Sequence, residues 1–113
     1  MISDVDIKDF DKYQDEAWGT ALESARNAAY LYNGLSGEVG EVCSLYAKAI
    51  RDGVENHQRF AEQLKKELGD VLWFIAGLSK FHGLTLKEVA EANIEKLKSR
   101  QQRNTLKGSG DDR

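Results

Sequence analysis

Apolar residues recur every three or four positions along most of this chain, the period of an amphipathic helix. Phe10, Tyr13 and Ala17, with Trp18 and Ala21 beside them, predict a first helix over roughly Asp6 to Thr20. A second runs roughly from Ala28 to Arg51 and stops at the Asp52-Gly53 pair, a common C-terminal signal. Phe60, Leu64, Val71, Ile75 and Leu78 mark a third over roughly Gln58 to Phe81, which Gly83 ends. Thr85 and Glu88 form a T-x-x-E capping box, so a fourth helix starts there and continues to about Arg103. The segment Ala21–Tyr32 reads equally as helix or loop. The expected fold is all-α and four-helix-bundle-like: one domain over residues 1–106, then a flexible tail, KGSGDDR, over 107–113.

The third helix carries a second message. In VLWFIAGL, Val71 to Leu78, apolar side chains go all the way round, and Trp73 points nearly opposite to Val71 and Leu78. A helix apolar on every side is buried on every side. A chain of 113 residues covers one such face easily and hardly all of them. A homo-oligomer is therefore expected, a dimer or a dimer of dimers; the competing arrangement wraps the first helix over the remaining face.

Composition narrows the class. The chain contains no proline, which removes the strongest helix breaker and favours the all-helical reading. Its net charge of −3 speaks against nucleic acid, which selects a basic face. No apolar stretch approaches the ~20 residues that span a bilayer, so no membrane is expected. The lone cysteine, Cys43, forms no internal disulfide and fits a reducing, cytoplasmic compartment.

Acids interrupt this pattern. At about 100° per residue, Glu38 falls within the apolar arc of Val39, Val42, Tyr46 and Ala49, and Glu41 lies just beyond Leu45. On the third helix Glu67 stands among Phe60, Leu64, Val71 and Phe74, with Asp70 at the border. The pairs E-V-G-E and E-L-G-D thus put carboxylates at i and i+3, one turn apart, on faces that pack together. Like charges at ~4 Å repel by ~1 kcal/mol even at water's dielectric. A divalent cation reverses that sign, and an all-oxygen set suits Mg²⁺, or Mn²⁺, better than Zn²⁺ or copper. A di-iron bundle would want Glu-x-x-His, and neither His57 nor His82 follows a glutamate by three. The bland alternative is four solvated charges paired with lysines. The glycines Gly34, Gly37 and Gly40 each cost up to ~1 kcal/mol against alanine in a helix, and their expected purpose is close approach of a neighbouring helix or of phosphate.

GLSGEVGEVCSLYAKAIRDG, KKELGDVLWFIAGL and ANIEKLKSR together resemble the MazG-like all-α nucleoside triphosphate pyrophosphohydrolases, over roughly Tyr13 to Arg100. The resemblance implies cleavage of the α–β phosphate linkage of a nucleoside triphosphate, giving monophosphate and pyrophosphate, in nucleotide-pool housecleaning. It implies Glu38, Glu41, Glu67 and Asp70 as Mg²⁺ ligands, with Glu41 or Glu38 doubling as general base. Asn93 and Lys96 match the family's phosphate-binding positions on the last helix. The residues agree in part: Asn93 lies on the apolar face with Leu86, Ala90 and Leu97, and Lys96 and Arg100 stack at its edge. Lys48 and Arg51 match common basic positions, although a helix C-terminus favours such residues anyway. Trp18, Tyr32, Trp73 and Phe74 are available to hold the base, each equally suited to the core. The segment Ser24–Tyr32, SARNAAYLY, lacks the family's Tyr-Pro element, so the base-recognition end lies outside the resemblance. A phosphoribosyl-ATP pyrophosphohydrolase and a helical dimerisation module without catalysis are the competing functions. The filled acidic positions speak against the latter.

Overall fold

A computed structural model describes residues 8–54, 56–104 and 110, and its regular elements are all helical. Helix α1 spans Phe10–Gly19, α2 Ala28–Asp52, α3 His57–Phe81 and α4 Leu86–Gln102. A single 3-10 turn, Glu23–Ala25, lies between α1 and α2.

Each start has a local cause. The Asp9, Asn27 and Asn56 side chains accept from the backbone N–H groups of Lys12, Tyr30 and Arg59 at 2.8, 2.9 and 3.1 Å. The capping box at Thr85 is present in both directions: Thr85 N–H donates to Glu88 at 2.8 Å and Glu88 N–H to Thr85 Oγ1 at 3.1 Å. Helix α2 ends on Gly53 at φ +82, a left-handed conformation that glycine adopts without strain. The first helix starts at Phe10 rather than near Asp6 because Asp9 caps it. Residues 1–7 and, Gly110 apart, the tail 107–113 lie outside the described residues. The ambiguous segment resolves into the 3-10 turn and then α2.

Helix α2 packs along α3, while α1 and α4 pack against α3 and each other. The α1–α3–α4 corner is organised by a buried glutamine. Gln14 Nε2 donates to the Leu84 carbonyl at 2.9 Å and to the Ala76 carbonyl at 3.3 Å, and its Oε1 accepts from Leu86 N–H at 3.0 Å. One side chain thereby satisfies backbone groups of α3, of the α3–α4 turn and of the first turn of α4. Around it pack Ala17, Ala76 and Leu86, flanked by Tyr13, Trp73 and Ile75.

The expectation that α3 is buried on every side holds only in part. Phe74, Ala76, Gly77 and Ser79 are buried, but Leu68 is 50% and Leu72 37% exposed. Length explains this. Helix α1, at 10 residues, is about 15 Å long against about 37 Å for the 25 residues of α3, so it covers under half of its partner.

Candidate metal centre and its surroundings

The α2–α3 seam brings the acids together. Glu38 from α2 and Glu67 and Asp70 from α3 each offer a carboxylate oxygen, and these three oxygens lie within 4.8 Å of one another. Glu38 and Glu67 are half-buried and Asp70 is exposed. Partial loss of hydration raises the Glu38 pKa above its ordinary 4.5, and the negative charges of Asp70, Glu67 and Glu41 push it further. Among the described residues no basic side chain enters that balance. Glu41 is exposed and stands outside the convergent trio, one turn along α2. Hard oxygen donors at such mutual distances, repelling one another, fit a hard divalent cation.

Tyr13, which periodicity assigns simply to the core, also belongs to these surroundings. Burial and then the Asp70 charge raise its phenol pKa, so α1 reaches the edge of the cluster. No spacing rule could have found it, because the approach depends on how α1 crosses α3.

The glycines divide. A Cβ on Gly34 would overlap the Phe74 ring, so close helix approach explains that glycine. Nothing described lies within 4 Å of a Cβ built on Gly37, Gly40 or Gly69, so contacts within the chain do not explain these three. Gly77 receives Leu31 and Trp18, at 3.2 and 3.3 Å from a Cβ built there.

The remaining candidates are scattered. Trp18 wedges against Gly77 and lies under the Arg26 guanidinium at 5.0 Å, a packing position away from the carboxylates. The Trp73 indole N–H donates to the Ala17 carbonyl at 3.0 Å and to Thr20 Oγ1 at 2.9 Å. Tyr32 hydroxyl meets His82 Nε2 at 2.9 Å. Of the four aromatic candidates, Phe74 alone shares a groove with Glu38, and Tyr30 joins it with ring centroids 5.8 Å apart.

Helix α4 departs from the expected face. Asn93 is exposed rather than packed with Leu86, Lys96 is half-buried, and Arg100 is only 3% exposed. The Arg100 guanidinium donates to the Gly110 carbonyl at 3.2 Å. Lys48 and Arg51 lie 10 and 13 residues beyond Glu38, about 15 and 20 Å along α2. Arg51 is held by Asp52 through two bonds of 2.7 Å.

Comparison with known proteins matches this arrangement to one family. Residues 26–104 match the MazG nucleotide pyrophosphohydrolase domain. The chain is also 37% identical over 112 residues to the "Gene 37 protein" of Mycobacterium phage L5, covering 91% of this chain and 97% of the phage protein. That name states no activity. No solved structure matches the sequence. With the domain match spanning both acidic pairs and the last helix, the chain belongs to the MazG nucleotide pyrophosphohydrolase domain family.

Proposed function

We propose that this chain is a divalent-metal-dependent pyrophosphohydrolase that cleaves the α–β bond of (deoxy)nucleoside triphosphates, releasing monophosphate and pyrophosphate for nucleotide-pool housecleaning. One observation carries this reading: the convergence of Glu38, Glu67 and Asp70 oxygens within 4.8 Å in a chain of this family. These three residues would hold the cation, Mg²⁺ or Mn²⁺, with Glu41 completing the set from the next turn. When bound, the ion supplies Lewis acidity at the phosphate oxygens. Glu41, which is exposed, or Glu38 would take a proton from the attacking water. Lys96 and Asn93 are the candidates for the leaving pyrophosphate.

The reading includes a second copy of the chain, as a dimer or a pair of dimers. On one flank of α2 the apolar residues Val39, Tyr46 and Ile50 are 45, 62 and 68% exposed. On α3 the bare Leu68 and Leu72 line an apolar groove of about 410 Å³ with Ala61 and Leu64. Glu41, Gly37 and Asn33 occupy the other flank of α2, at 100° per residue, so a partner on the first flank leaves the substrate side open. The compartment implied is the cytoplasm; among the described residues no helix is long and apolar enough to cross a membrane.

The test is a panel of NTPs and dNTPs with Mg²⁺ or Mn²⁺ and product identification. Monophosphate plus pyrophosphate is the expected result. Orthophosphate release alone, phosphoribosyl-ATP as the sole substrate, or no turnover of any nucleotide would overturn the reading.

A further inference from the structure

The groove that Glu38 shares with Phe74 runs toward the start of α2, along Gly34, Asn33 and Tyr30 to Asn27 and Ser24. It is an open groove of about 610 Å³. Its apolar part is packed ring on ring. The Phe74 ring seats against the missing Cβ of Gly34 and meets Trp73 edge-on at 4.9 Å and 78°. Tyr30, 48% exposed, leans over Phe74 at 5.8 Å with ring planes 34° apart. A half-exposed ring over a fixed one is a stacking platform for a planar heterocycle.

The polar groups of the groove are not equivalent. Asn27 is fully engaged, its Oδ1 accepting from Tyr30 N–H at 2.9 Å and its Nδ2 donating to the Ser24 carbonyl at 3.0 Å. Asn33 makes no side-chain hydrogen bond among the described residues, and its carboxamide offers a donor and an acceptor side by side. It precedes Glu38 by five residues, about 7.5 Å along the helix and about 140° around it, and both residues line the same groove.

We propose that Asn33 discriminates the base of the substrate: the α-phosphate lies at Glu38, the base stacks on Tyr30, and the Asn33 carboxamide reads the base edge. The inference rests on the pyrophosphohydrolase reading and deepens it. It places recognition in the segment where this sequence departs from its family's pattern.

The experiment compares kcat/KM for the four dNTPs and four NTPs in the wild type, Asn33→Ala and Asn33→Asp. In Asn33→Ala, kcat/KM for the preferred base falls about tenfold to a hundredfold, mostly through KM, and the spread between bases contracts. Asn33→Asp, an acceptor only, shifts the ratio toward the bases with donating exocyclic amines, cytosine, adenine and guanine, over thymine and uracil. An equal loss for every base, an unchanged spread, or a wild type without base preference would overturn the proposal. A readout without turnover separates the two failures. Nucleoside monophosphates are titrated into the isotope-labelled protein, following the Asn33 side-chain NH₂ and Tyr30 ring signals. Base-dependent shifts of both sustain the subsite even if no triphosphate is cleaved, and their absence overturns it.

Discussion

Two stretches of α3 behave as different proteins would. Residues 74–79 are closed: α1 and α4 pack against this helix, Gln14 ties three backbone segments together, and Ser79 returns its hydroxyl to the Ile75 carbonyl at 2.8 Å. Earlier in the helix, Leu68 and Leu72 are exposed. The acids sit where the closed stretch gives way to the open one. The Asp70 charge is felt by Tyr13 of α1, and Glu67 lies one turn earlier along α3. The closed stretch backs the cluster on one side, and the proposed substrate and second copy would approach from the other. Repulsion among carboxylates is tolerable at such a seam, where hydration persists and a cation can enter.

The largest expected effect concerns the cluster itself. Glu38→Gln removes one of the three convergent oxygens as a charged ligand, and turnover falls by about a thousandfold or more. The closed stretch is untouched, so far-UV circular dichroism stays helical. Residual turnover within tenfold of wild type would place the cation elsewhere.

Next comes the open flank. Charges at Tyr46 and Ile50, as Tyr46→Glu with Ile50→Glu, place two carboxylates on the surface assigned to the second copy. Sedimentation should show the assembly reduced to monomer, while helix content remains. An unchanged mass would move the interface away from this flank of α2.

A glycine pair sharpens the comparison further. Gly34→Ala drives a methyl group into the Phe74 ring and should lower stability by about 1–3 kcal/mol. Gly40→Ala meets nothing described within 4 Å and should raise it by up to ~1 kcal/mol on helix propensity alone. Thermal melts of the two variants under conditions where the protein is monomeric decide this. Similar losses in both would show that Gly40 has a packing partner within the chain.

The smallest effect is on pH dependence. Lost hydration and three neighbouring acids raise the Glu38 pKa, so the folded state holds that proton more tightly than the unfolded chain does. Stability of the metal-free protein therefore rises as pH falls from neutral toward the ordinary 4.5, and is lost as pH climbs back through the raised value. Divalent cation reverses the trend, because it binds the deprotonated carboxylates and its stabilisation fades on acidification. Melting temperatures between pH 5 and 7.5, with chelator and with Mg²⁺, measure both slopes. A flat chelator curve would mean that Glu38 feels its neighbours less than their positions require.

The helices were legible residue by residue. Caps, stops and apolar period are local quantities, so Asn27, Asn56, Thr85 and Gly53 mark ends that need no tertiary partner. Both acidic pairs were legible too, because a carboxylate inside an apolar arc breaks a pattern that only helix geometry creates. Three of the four acids converge, and Glu41 lies a turn away. The burial of Arg100, the exposure of Asn93 and the effect of the Asp70 charge on Tyr13 were not legible. Each depends on the rotation of one helix about its axis against another, and heptad-scale spacing leaves that angle undetermined.

By itself, then, the sequence determined four helices, most of their ends, the apolar stripe of each, and the two carboxylate pairs. Tertiary structure alone decided which stretch of α3 is closed, which glycine receives a ring, and that Tyr30 and Asn33 join Phe74 and Glu38 in one groove. The division is physical. Helix formation follows from interactions within about four residues, whereas a site on a seam follows from the crossing of elements whose mutual angle no short stretch of chain encodes.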